Sequence, residues 1–435
     1  MPGLMTQTDL EQRTGREIFY IVLSFAAVLP GLVVRVGGLH PGPALAAFVF
    51  GMAIVGAAFM LSWAAEVVQL DIAGGLALAL LALIAVLPEY AVDFVFTWKA
   101  GKDVSQAPNA LANMTGGNQL LIGFGWPLVV LLGTWRIRLL HGRDSGVRGG
   151  SDDRRVYLEK SQSVDIAYLT LASLYGLTLP LRASLTMVDA IVLVGIYVAY
   201  LMRLSGAPRT EPHLVGPAAM IGSLPKARRR LINIAMFIVA ASVILAVAEP
   251  FAESLVAMGE AYDVPEFLLV KWLAPLASEA PELLVAALFA WRLAASTGLG
   301  ALVSSKVNQW TLLVGTLPIV FAISSGAFNG LPLGIEQRDE LLVTAAQSVF
   351  AVAVLANGHM DRREAWILFG LFLAQLGESF YVSFVLREEY SSVGRVAVGL
   401  VFLAAAAWVL VRNWRPLLQM IRAGLRRQTP EPAVR

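Results

Sequence analysis

Four carboxylates stand inside sequence apolar enough to sit in lipid: Glu89 and Asp93 in IAVLPEYAVDFVF, and Glu279 and Glu282 in PLASEAPELLVAAL. An ionised side chain at the centre of a bilayer costs about 2.5 to 3.5 kcal/mol on insertion scales, so the four together cost on the order of 10 kcal/mol if left unpaired. Bound cations, protons, a basic side chain or water in a cavity must offset that. Spacing decides which groups can act together. Glu89 and Asp93 are four residues apart, as are Ser278 and Glu282, and Glu279 and Glu282 are three apart, so each pair shares a helix face. Further on, Ser305 and Gln309 share a face with Lys306 adjacent. Such a set makes an oxygen-lined site for hard cations such as Na+ or Ca2+, with Glu89 and Glu282 as the metal-ligating carboxylates. Pro88 and Pro281 cannot donate to the carbonyls of Ile84 and Ala277, which frees backbone oxygens beside the glutamates. Lys306 modulates the charge: burial favours its neutral form and nearby carboxylates its charged form, so the group titrates as a unit.

The elements that must hold these residues are membrane-spanning helices. The chain has 435 residues, 57% hydrophobic and 15% charged, against about 25% charged in an average soluble domain. Its apolar runs are continuous over about 20 residues rather than alternating, which points to helices and not to a barrel. Windows long enough to cross lie near 17–38, 43–67, 73–97, 107–133, 164–181, 186–204, 231–258, 266–292, 298–325, 339–357, 364–386 and 396–413, about twelve spans in an all-helical polytopic fold. With the N-terminus inside, the Arg-rich segments 134–163 and 205–230 and the basic tail fall on one side, roughly two dozen Lys/Arg inside against about six outside. The expected placement is a cell (inner) membrane, N-in and C-in. The Gly-, Pro- and Ser-containing segments 134–163 and 205–230 read as solvated connectors, and the tail as a contact for anionic lipid.

The two halves repeat a pattern. SWAAEVVQLDIAGGLALALLALIAVLPEYAVDFVF and EPFAESLVAMGEAYDVPEFLLVKWLAPLASEAPELLVAALF each place Ala-Glu (Glu66, Glu253) before a break and then an apolar run carrying Pro-Glu. A second helix opening with small and polar residues follows each: NALANMTGGNQLLIGFG, with Asn113 and Asn118, and TGLGALVSSKVNQWTLLVG, with Ser305, Lys306 and Gln309. Five spans separate the copies, and an odd number turns one copy over relative to the other.

On these residues the chain resembles the calcium:cation antiporter superfamily, the sodium/calcium exchanger type of membrane protein, whose two repeats carry Gly-Thr-Ser-Leu-Pro-Glu and Gly-Asn-x-x-Gly-Ser-Asn helices. The resemblance implies two inverted five-helix repeats with an extra helix at each end. The corresponding division is 1–42, N-terminus and first helix; 43–204, first repeat; 205–230, cytoplasmic linker; 231–386, second repeat; and 387–435, last helix and tail. It also implies an ion site of Glu89, Glu282, Asp93, Glu279, Ser278, Asn113, Asn118, Ser305 and Gln309. Where the family has Thr-Ser, this chain has Ala85-Val86 and Ser278-Glu279; where it has Gly-Ser-Asn, this chain has Gly116-Gly117-Asn118 and Ser304-Ser305-Lys306.

The expected activity is secondary antiport of Ca2+ or Na+ against H+ or Na+ by alternating access, with no cofactor besides the transported ions. The lost hydroxyls leave an alternative, a transport-inactive relative used for sensing or assembly. An intramembrane enzyme fits badly: there is no His-Glu-x-x-His, no Cys and no matched pair of intramembrane Asp residues. No Gly-x-x-x-x-Gly-Lys-Ser/Thr occurs either, so gradients must supply the energy.

Overall fold

The structure, a computed structural model, describes residues 7–68, 70–71, 87–141, 154–204, 214–384 and 391–426. Long apolar stretches fold as helices because in a bilayer each backbone group must find its partner within the segment. Among the described residues the helices are α1 Gln7–Val36, α2 Pro43–Val68, α3 Leu87–Lys102, α4 Ala107–Leu120, α5 Trp126–His141, α6 Ser163–Gly176, α7 Met187–Leu204 and α8 Gly216–Gly222. They continue with α9 Lys226–Tyr262, α10 Ala274–Trp291, α11 Ala295–Asn308, α12 Val314–Ser325, α13 Ile335–Leu355, α14 Arg362–Phe384 and α15 Ser391–Leu425. Ten helical stretches among the described residues are long and apolar enough to cross a membrane. The expected window 73–97 falls largely outside the described residues, with only its end in α3. The window at 339–357 forms a helix, α13, but its first turns carry Glu336, Arg338, Asp339 and Glu340, which keep it out of the apolar ten.

Two compact units form, each drawing on both halves of the chain: Met1–Val92 with Arg209–Ala261, and Asp93–Pro208 with Tyr262–Arg435. In the first, α1 lies along α2 through small residues. A Cβ on Gly31 would stand 2.6 Å from that of Ala53, and one on Gly56 would stand 2.5 Å from the Ser24 carbonyl oxygen, so the helices touch backbone to backbone. Just past α2, Asp71 takes both arms of Arg229 at the start of α9 (2.8 and 2.9 Å), which holds its carboxyl below the usual carboxylate range. The segment 205–230 is therefore more than a solvated connector. Residues 214–230 include α8, whose Gly216, Pro217, Ala218 and Ile221 are buried.

In the second unit α13 runs along α15, α6 packs against both, α10 pairs with α11 and α5, and α12 pairs with α7. Two antiparallel strand pairs clasp helix ends. β1 Arg155–Tyr157 pairs with β4 His359–Asp361, and β2 Ser184–Leu185 pairs with β3 Leu331–Pro332. The first clasp gives the end of segment 134–163 a hydrogen-bonded place where a solvated connector was expected.

Candidate functional site

In the second unit α4 is buried on nearly every side, and it carries Asn109, Asn113, Thr115, Asn118 and Gln119 into that environment. Buried polar groups need partners, and each of these five side chains makes at least one hydrogen bond. Asn113 Nδ2 donates to Asp93 Oδ1 at 2.7 Å, Thr115 Oγ1 to the Leu111 carbonyl at 2.7 Å, and Asn118 Nδ2 to the Met114 carbonyl at 2.8 Å. Gly116 allows the helix its closest approach: a Cβ there would come 1.7 Å from the carbonyl oxygen of Lys271. Only a residue without a side chain lets two backbones meet in this way.

The second Pro-Glu helix, α10, is met by α11. Gln309 Nε2 donates to Glu279 Oε1, and the Ser305 hydroxyl stands beside the Glu282 carboxylate. Lys306 donates to Asn118 Oδ1 and, at 3.5 Å, to the Asn118 carbonyl, with the Trp310 ring 4.6 Å from its ammonium. Thus Asp93 meets Asn113, Glu279 meets Gln309, Glu282 meets Ser305, and Lys306 meets Asn118. Ser278 is turned inward to its own helix, donating to the carbonyls of Ala274 (3.4 Å) and Pro275 (3.3 Å). Asp93, Asn118, Lys306 and Gln309 are fully buried, whereas Glu282 and Ser305 keep some accessible surface. Glu89 belongs to the first unit, where its carboxyl-bearing residue is 5% exposed. Among the described residues no three His, Asp or Glu converge as a ready metal cage. The acids alternate instead with amides and hydroxyls, the mixed oxygen set that Ca2+ accepts.

Beyond Pro281 the helix continues to Trp291, so Pro281 lies inside it and the Ala277 carbonyl has no proline N–H to accept. The equivalent carbonyl, that of Ile84, lies outside the described residues. The signature helices end alike: a single π turn follows α4 at Leu121–Gly125 and follows α11 at Gln309–Leu313. Such turns widen a helix by one residue and often mark functional sites.

Several buried partners escape a reading by motif. Glu340 in α13 pairs with Lys271 (2.7 Å) and with Arg395 (3.2 Å), all three nearly without exposed surface, and Gln119 donates to the same carboxylate at 3.3 Å and to Thr344 Oγ1 at 2.7 Å. Lys271 was findable, as a lysine in the apolar run EFLLVKWLAPLA. Gln119 and Asn308 had a signal too, since the dipeptide Asn-Gln recurs at 118–119 and 308–309. Asp165 accepts from Tyr200 and, at 2.7 Å, from Ser304 on α11, a contact with no local pattern to announce it.

The model of the sodium/calcium exchanger protein family matches residues 43–206 and 232–381. Among solved structures the chain is similar to the H+/Ca2+ exchanger CAX, with 36% identity and a TM-score of 0.83, over 94% of this chain and 97% of that one. It is similar to the Ca2+/H+ antiporter protein YfkE, with 14% identity and a TM-score of 0.57, over 89% and 99%. It is also similar to the sodium-calcium exchanger NCX_Mj, with 14% identity and a TM-score of 0.50, over 77% and 97%. The last two are likenesses of fold alone. Among curated proteins none matches the sequence.

Proposed function

This chain belongs to the sodium/calcium exchanger protein family, and from that premise we propose that it is an integral membrane cation antiporter moving Ca2+ against H+ by alternating access. The ion-binding carboxylates in this reading are Glu89 and Glu282, one from each Pro-Glu repeat, assisted by Asp93, Glu279, Asn113 and Ser305. The observation that carries it is Glu282, an acid placed inside a span, kept partly accessible and set beside the Ser305 hydroxyl of the crossing helix. A carboxylate in that position must be neutralised by a cation or a proton at every stage, which makes the two ions competitors for one group and couples their movements. Proton coupling is preferred to sodium coupling because the relative at 36% identity is an H+/Ca2+ exchanger and because the sequence lacks several of the family's hydroxyls. The chain is proposed to lie N-in and C-in in a cell membrane.

The test is ion flux in proteoliposomes with outward H+, Na+ or Ca2+ gradients imposed in turn. Ca2+ uptake driven by a pH gradient supports the reading. Glu282→Gln and Glu89→Gln are each expected to abolish exchange while the protein remains folded and inserted. Full activity in both removes these residues from the mechanism. Absence of flux under every gradient favours the transport-inactive alternative.

A further inference from the structure

Lys306 has no exposed surface, and its ammonium is directed at two oxygens of one residue, the side-chain and backbone carbonyls of Asn118. The face of Trp310 supplies a third contact. Two oxygens and an aromatic face are what a dehydrated monovalent cation seeks when it leaves water. The neighbours on the same helix fix where this charge sits. Ser305 attends Glu282, and Gln309, three residues beyond the lysine, donates to Glu279. In sequence Lys306 thus falls between the serine beside Glu282 and the glutamine that donates to Glu279.

Resting on the antiporter reading above, we propose that the Lys306 ammonium is a built-in substitute for a monovalent cation, permanently filling one oxygen-lined position so that transported ions bind only beside it. The tether denies Asn118 to any mobile ion while the lysine is in place. It also joins α4 to α11 through a contact that in an ion-filled site would come and go.

The experiment removes the tethered cation and offers a free one. Lys306→Ala leaves a gap about the size of the lysine side chain, and Lys306→Gln fills that gap, keeps a hydrogen bond to Asn118 and removes the charge. In buffer with N-methylglucamine as the only other cation, both variants should lose exchange by about tenfold or more. Methylammonium, ammonium, K+ or Na+ at millimolar concentration should restore the Ala variant several-fold and leave the Gln variant unrestored. The same cations should raise the melting temperature of purified Lys306→Ala and not that of the wild type, a readout that needs no transport. If the wild type moves no ion, the antiporter reading fails, and the thermal shift still decides whether a cation replaces the ammonium. Wild-type activity in the Gln variant overturns the proposal. So does an Ala variant, folded by gel filtration, that none of the four cations stabilises or restores.

Discussion

At Gly116 a missing side chain does more than most of the side chains around it. The backbone of α4 and that of the π turn Leu269–Leu273 leading into α10 are in contact there, and the carbonyl of Lys271 occupies the place of a Cβ. Gly116→Ala must push the two segments apart in an interior that does not yield, at a cost of about 1–3 kcal/mol or more. We expect a lower melting temperature in detergent and weakened exchange, because the displaced helix carries Asn113 and Asn118. An unchanged melting temperature would mean that the two backbones do not meet as described. The residue was legible as one of the small ones opening the helix NALANMTGGNQLLIGFG, and small residues let membrane helices approach closely. Its partner was not, because nothing in the local sequence of Lys271 says which helix it will face. The same limit governs the polar residues. Asn113, Asn118 and Gln309 were visible as amides in apolar runs, while their pairing with Asp93, Lys306 and Glu279 depends on tertiary packing.

At the scale of elements, the Lys271–Glu340–Arg395 cluster joins α13, α15 and the turn ahead of α10, and through Gln119 it reaches α4. One carboxylate serves two cations, so the three positions are unequal. Glu340→Gln leaves Lys271 buried beside a neutral amide and Arg395 with only Glu336 (3.4 Å), and should cost about 3–5 kcal/mol, the scale for breaking a buried pair by removing one partner. Lys271→Met leaves Glu340 still paired with Arg395 and fills the space with a flexible apolar chain, so its loss should be clearly smaller. Thermal unfolding of the two purified variants checks the order; a Glu340→Gln protein as stable as Lys271→Met would show that Glu340 does not hold both cations. Helix positions were largely readable, since length and hydropathy determine them: the expected 43–67, 186–204 and 266–292 became Pro43–Val68, Met187–Leu204 and Glu266–Trp291. The cluster was not readable, because Lys271 and Glu340 are 69 residues apart and each looks alone like an isolated charge at the edge of a span.

For the molecule as a whole, the two strand clasps constrain how often the chain crosses the membrane. Hydrogen-bonded strands lie on one side, so an even number of crossings must separate the members of each pair. Between β2 and β3 lie four of the apolar spans, Met187–Leu204, Lys226–Tyr262, Glu266–Trp291 and Ala295–Ser325. Between β1 and β4 lie those four and Ser163–Leu181, an odd number, unless α13 crosses as well. At 21 residues α13 has the length, about 31 Å at 1.5 Å per residue, and the charges in its first turns have partners: Glu336 and Glu340 pair with Arg395 and Glu340 also with Lys271, Arg338 donates to the Pro180 carbonyl, and Asp339 accepts from Ser392. Parity therefore asks α13 to cross in spite of its composition, which is why hydropathy alone leaves it out. The proposed orientation can be tested on a clean background, since the chain has no cysteine. Ser223, exposed just ahead of α9, and Asn329, exposed between α12 and β3, are separated by three of these spans. Ser223→Cys should react with a membrane-impermeant maleimide only after the cells are opened, and Asn329→Cys should react in intact cells. The opposite pattern would invert the orientation drawn from the Lys/Arg distribution. Labelling of both from one side would break the crossing count itself, and with it the requirement that α13 span the bilayer.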